Sequence, residues 1–354
     1  MKKLKIINQV ILVLALTAVL FSCKKPPEEI PEDEIGTFDV WVLNEGLWNM
    51  NNSGITAYNT LTVDRIADIY KYANNNRQLG DVANDILVYG SKVYVAVNVS
   101  DQIEVMDKTT GISLKQITGS AKQPRCIASH NGKIYASYFD GSVVKIDTAS
   151  LQIEATIQAG RNPDGICVAN NKLYVCNSGG LDYPNYDKTV SVIDLNLFSE
   201  IKKIDVRDNP TSIKADKNGN VYVVSNGNYE DISPCLQRIN SSSDVVEKVF
   251  PLEIVNFDIY KSSLYFYTYD YSTNDASYRV LDLSKDSVVN TNFISGSSLP
   301  KTPYSLAINP LNGDIYLTDA LDYTSTGDVY CFGQNGQKKF QFEAGIVPKK
   351  VIFK

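Results

Sequence analysis

The chain has 354 residues, with 34 Lys and Arg against 40 Asp and Glu, a single His and a formal charge of −6. Polyphosphate binding needs a basic surface that displaces counterions, so this balance excludes a general nucleic-acid binder. Hydrophobic residues make up 44% and charged residues 21%, which excludes disorder for the bulk of the chain, and the lone His130 removes most His-dependent catalysis and His-rich metal sites.

Lys2, Lys3 and Lys5 precede an apolar run from Val10 to Phe21, the layout of a signal peptide and too short to span a bilayer. The run ends in Leu20-Phe21-Ser22-Cys23, which is similar to the bacterial lipobox, with Phe21 where a small residue is usual. A signal peptide over 1–22 and acylation of Cys23 are therefore expected, and several acyl chains on one terminus anchor a protein stably without a membrane span. Residues 23–37 carry Pro26, Pro27, Pro31 and the acids Glu28, Glu29, Glu32, Asp33 and Glu34, the composition of an extended tether. The acidic run also resembles the surface-export signals of some Gram-negative lipoproteins.

From residue 38 the chain repeats. The clearest unit has strands over 124–129, 133–137, 142–147 and 151–157, separated by turns at Asn131-Gly132, Asp140-Gly141 and Thr148-Ala149-Ser150. This is a four-stranded antiparallel meander with Gly and Asn where tight hairpins need positive φ. A Tyr in the second strand recurs as Tyr94, Tyr135, Tyr174, Tyr222, Tyr265 and Tyr316, spacings that match propeller blades. A seventh unit is split: 38–44 reads as a second strand with Trp41 in the Tyr slot, and 347–353 supplies the missing first strand with Pro348 in the Pro slot. The expectation is an all-β, seven-bladed β-propeller over 38–354, closed by pairing the C-terminal strand with the N-terminal blade, which removes the exposed edges.

The first-to-second-strand and third-to-fourth-strand turns are short and share one face. The long insertions, 45–53, 178–188, 227–234, 270–277 and 320–327, share the other, and the connection 71–82 is expected to open there too. Long loops on a rigid scaffold carry recognition. The candidate ligand-binding residues are Trp48, Asn49, Arg77, Tyr138, Tyr183, Tyr186, Tyr229, Tyr271 and Tyr323, joined by the residues that follow the repeated Pro: Asn84, Arg125, Asp164, Thr211, Phe257, Tyr304 and Lys349. Tyr and Trp give large contact area at low entropic cost.

Catalytic chemistry finds little support. His130 falls in a short turn on the face opposite the long loops. The acid clusters at 182–187 and 270–275 lack the spacing of a Ca²⁺ loop, so no metal and no cofactor is expected. Five cysteines besides Cys23 lack CxxC spacing and read as buried thiols, with a Cys167–Cys176 bridge as an alternative.

Leu43-Asn44-Glu45-Gly46 at the first blade, the Pro-x-x-Ile…Lys-(Ile/Leu/Val)-Tyr-Val repeats and the lipobox together resemble the YncE-like seven-bladed surface lipoproteins, and within them the BtuG-type lipoproteins. That resemblance implies a non-enzymatic protein, lipid-anchored at the outer membrane and exposed on the cell surface. It would bind cobalamin or another corrinoid on one face and pass it to a TonB-dependent transporter. A protein- or glycan-binding propeller is the alternative, and a propeller enzyme such as a lactonase a weaker one.

Overall fold

The computed structural model describes residues 32–294 and 299–354. The expected signal peptide, Cys23 and the part of the expected tether before Glu32 lie outside the described residues. Seven four-stranded antiparallel sheets form a closed ring, a seven-bladed β-propeller. Blade I takes its innermost strand from the C-terminus: Pro348–Phe353 pairs antiparallel with Val40–Asn44, Trp41 opposite Ile352. Blades II to VII follow in chain order, with innermost strands Ala83–Tyr89, Pro124–His130, Pro163–Ala169, Pro210–Ala215, Asn256–Tyr260 and Pro303–Ile308.

The second strands are apolar along most of their length because each blade is covered on both faces by its neighbours, so these strands run buried without alternation. Each blade-to-blade interface holds one cluster of buried side chains, seven around the ring. The repeated aromatic enters these clusters: Trp41, Tyr94, Tyr135, Tyr174, Tyr222 and Tyr316 are buried, Tyr265 partly so.

One turn closes the two outer strands of blades I to VI. Its first residue, Asn59, Asp107, Asp147, Asp194, Asn240 or Asp282, accepts the N–H of the residues two and three positions on. Its fifth residue takes positive φ: Val63, Gly111, Leu151, Phe198, Asp244 or Asp286. The Asx side chain substitutes for a backbone turn acceptor, which is why Asn or Asp recurs there.

Residues 32–37, expected as part of the tether, have regular structure. Glu32–Thr37 forms a 3₁₀ turn, and Ile35 is wholly buried in the cluster between blades I and II. Cys126, Cys167, Cys176, Cys235 and Cys331 are all free, so Cys167 and Cys176 are not bridged.

Candidate ligand-binding face

The residue after the repeated Pro owes its position to a β-bulge. In six blades the pairing of the innermost strand slips at that point and skips Lys349, Asn84, Arg125, Asp164, Thr211 or Tyr304. A bulge leaves its extra residue unpaired and re-aims the side chain, here at the axis on the long-loop side. Blade VI has no such slip, since Asn256, Phe257 and Asp258 pair in register with Tyr267, Phe266 and Tyr265. Phe257 is accordingly buried among side chains of blades V and VI rather than presented at the mouth.

The bulged residues knit together across blades. Arg125 grips Asp164 through Nε to Oδ1 at 3.1 Å and Nη2 to Oδ2 at 3.2 Å, donates from Nη1 to Asn84 Oδ1 at 2.7 Å, and lies over the Phe139 ring at 4.1 Å. Burial pulls the guanidinium down, but Asp164 outweighs it and Arg125 stays charged. Lys349 pairs with Glu45 at 3.3 Å and lies over the Tyr304 ring, while the Tyr304 hydroxyl donates to Glu45 Oε2 at 2.7 Å. Burial opposes the Lys349 charge as well, and the negative groups around it prevail. Each cation at the mouth thus has its anion.

Beneath the mouth an axial cavity of ≈ 760 Å³ is lined by the innermost strand of every blade. Its charges are paired too: Lys350 with Asp85 at 2.6 Å and Lys214 with Asp258 at 2.7 Å.

Outside the mouth, an arc of tyrosines runs over blades IV to VII. Tyr183 meets Tyr186 edge-on at 6.2 Å, and Tyr186 meets Tyr229 edge-on at 5.9 Å. Tyr269 packs on Tyr271 at 4.9 Å, and Tyr304 on Tyr323 at 5.8 Å. Tyr183, Tyr229 and Tyr271 are exposed, Tyr271 at 72%, as is Trp48 on the first loop at 63%. Asn49 beside Trp48 is exposed and donates its N–H to Asp81.

Two other expected residues lie elsewhere. Tyr138 is buried in the cluster between blades II and III, and burial drives its phenol well up. Arg77 does not reach the face, because the connection after blade I folds into the short helix Ile69–Ala73 (α1) and turns down the flank. There the Arg77 guanidinium meets Tyr70, Glu104 and Ser113, and Asn74 bonds to Gly111 in a short turn of the opposite face. Glu45, Phe139 and Tyr269 belong to the face and were absent from the sequence-derived set. Glu45 was the most legible of them, as the first residue after the second strand of blade I.

His130 Nε2 lies 3.1 Å from Asn171 Oδ1, on the short-turn face. Among the described residues, no three His, Cys, Asp or Glu side chains gather in a metal-binding group.

A family model described as a domain of unknown function, DUF5074, matches residues 38–343. No curated protein matches the chain. Among solved structures, a quinonprotein alcohol dehydrogenase-like protein of Bacteroides thetaiotaomicron superposes with a TM-score of 0.68 at 16% identity, over 90% of this chain and 78% of that one. Hydrazine synthase of Kuenenia stuttgartiensis gives 0.59 at 16% identity, over 70% and 74%. The computationally designed Ika8 protein gives 0.57 at 12% identity, over 88% and 90%. At these identities the likeness is one of fold alone.

Proposed function

The chain belongs to the DUF5074 domain family, and from that premise we propose that it is a non-enzymatic binding propeller that captures a large ligand, a corrinoid first, on its long-loop face. The observation that carries this reading is the arc of exposed tyrosines from Tyr183 to Tyr323, set around a mouth whose charges are already paired. A mouth with every ion matched favours lateral binding over the rim, since a charged ligand in the funnel would first have to break an existing pair. A corrinoid is a broad ring fringed with amides, suited to tyrosine faces and to polar groups such as Asn49.

In this reading the protein works as a BtuG-type member of the YncE-like lipoproteins. It is anchored through Cys23 at the outer membrane, displayed on the cell surface, and hands its ligand to a TonB-dependent transporter. Calorimetry with cyanocobalamin tests the ligand class: saturable one-to-one heat that is lost when Tyr183, Tyr229 and Tyr271 are all replaced by Ala supports it. No heat with cyanocobalamin, together with tyrosine-dependent binding of a peptide or glycan, replaces the corrinoid with the other partner class.

A further inference from the structure

The N-terminal segment enters the ring on the short-turn face. Lys354 Nζ donates to Ile35 O and to Lys108 O, the latter in the outer turn of blade II, and the Asn59 amide donates to Thr37 Oγ1. Thr60 donates to Asp39 from both its N–H, at 2.9 Å, and its hydroxyl, at 2.6 Å. The outer turn of blade I is therefore bonded to the segment by which the chain enters.

That turn departs from its five counterparts. At the apex, where blades II to VI carry Thr109, Ala149, Asn196, Ser242 and Ser284, blade I carries Leu61, 93% exposed; blade IV exposes a leucine one position later, Leu197 at 76%, but no second aliphatic beside it at the fifth position, where Phe198 is buried. At the fifth position, where Leu151 and Phe198 tuck inward, Val63 stays 69% exposed with φ at +60°. A β-branched residue is disfavoured at positive φ, and the same position elsewhere holds Gly111, Leu151, Phe198, Asp244 or Asp286, none of them β-branched. Neither aliphatic side chain serves the turn, whose backbone is satisfied by Asn59. On the adjacent blade VII, Leu311 is 85% exposed on the same face. The opposite face exposes chiefly aromatic side chains, Trp48, Tyr183, Tyr229, Tyr271 and Tyr323.

We infer that Leu61 and Val63 seat the propeller on a lipid surface, the leaflet that holds its own anchor. The inference rests on acylation of Cys23. Cys23 precedes Glu32 by nine residues, a reach of at most about 30 Å, so the short-turn face stays close to that leaflet. Aliphatic tips beside an acyl anchor supply the second, weak membrane contact that turns tethering into a fixed orientation. So seated, the propeller turns its tyrosine arc away from the bilayer and toward the medium, and delivery to a transporter requires the seat to be released.

The test uses the full acylated chain in phosphatidylethanolamine–phosphatidylglycerol vesicles, with and without brominated acyl chains. The indole introduced by Leu61→Trp should lose fluorescence by about twofold or more on brominated lipid, while the native Trp41 and Trp48 background stays constant and Ser242→Trp, on blade V, is quenched less. An acylated chain whose introduced indole is unquenched overturns the seat and leaves the lipoprotein reading standing. Absence of an acyl group on Cys23 by mass spectrometry overturns both. As a second measurement, Leu61→Asp with Val63→Asp, a change confined to exposed positions, should abolish the vesicle-dependent hydrogen-exchange protection of residues 59–64. Protection that appears only when a protein partner is added makes the turn a protein contact and overturns the seat.

Discussion

Lys350, in the C-terminal strand Pro348–Phe353, reaches Asp85 at the start of blade II with Nζ 2.6 Å from Oδ1. The pair ties the innermost strand of blade I to that of blade II, 265 residues apart in sequence. Asp85 is fully engaged, its oxygens also accepting the N–H groups of Ile86 and Ile127. Burial disfavours the Lys350 charge, and Asp85 more than compensates.

Lys350→Met should therefore cost about 3 kcal/mol, because it leaves the Asp85 carboxylate buried without its cation. Adding Asp85→Asn should restore part of that loss, and chemical denaturation of the two single variants and the double variant measures the coupling. Additive effects would show that the pair does not help close the ring.

Removal of residues 349–354 should do more. It strips blade I of its innermost strand and leaves Val40–Asn44 with an open edge. We expect loss of the cooperative calorimetric transition and concentration-dependent association; an unchanged melting temperature would mean that the terminal strand is dispensable.

Lys354 gives a pH signature. Burial lowers its ammonium to about 8, although it lies over the Trp41 ring. A lysine depressed in the folded state is charged in both states below that value, at a cost to folding. As pH rises from about 8 toward the ordinary lysine value the folded chain holds fewer protons than the unfolded one, so stability increases. Relative to Lys354→Met, the wild-type chain should gain melting temperature across that window and change little below pH 7. A difference independent of pH would disprove the depressed ammonium.

On the binding face, Tyr183→Ala, Tyr229→Ala and Tyr271→Ala should each weaken ligand by up to about tenfold without shifting the melting temperature, since these rings are exposed. Tyr138→Ala and Phe257→Ala should behave oppositely, costing about 3 kcal/mol or more through cavities in the blade interfaces. Parallel titration and thermal melts separate the two classes.

His130→Ala should leave both the affinity and the visible spectrum of a bound corrinoid unchanged, because His130 contacts Asn171 on the opposite face. A spectral change would place the ligand on the wrong side of the ring.

Repeat period, blade number and the split first blade were legible in the chain because they rest on local chemistry. Asn-Gly hairpins, Asx turns and the Pro that opens five of the seven innermost strands are set by neighbours in sequence, and the pairing of Pro348–Phe353 with Val40–Asn44 followed from counting strands. The ring of residues after the Pro was legible for the same reason, although the bulge that aims them was not. Side-chain destiny within the face was decided only by packing. Tyr138 and Phe257 look like rim aromatics in sequence, but blades covered on both faces bury alternate residues alike, so strand periodicity carries no signal of which way a ring points. Arg77 was displaced by the path of a connection long enough to fold into α1, with Tyr70 and Glu104 waiting on the flank. The tyrosine arc, like the pairing of Lys349 with Glu45, exists only because loops from separate blades converge, and that convergence is a property of the closed ring.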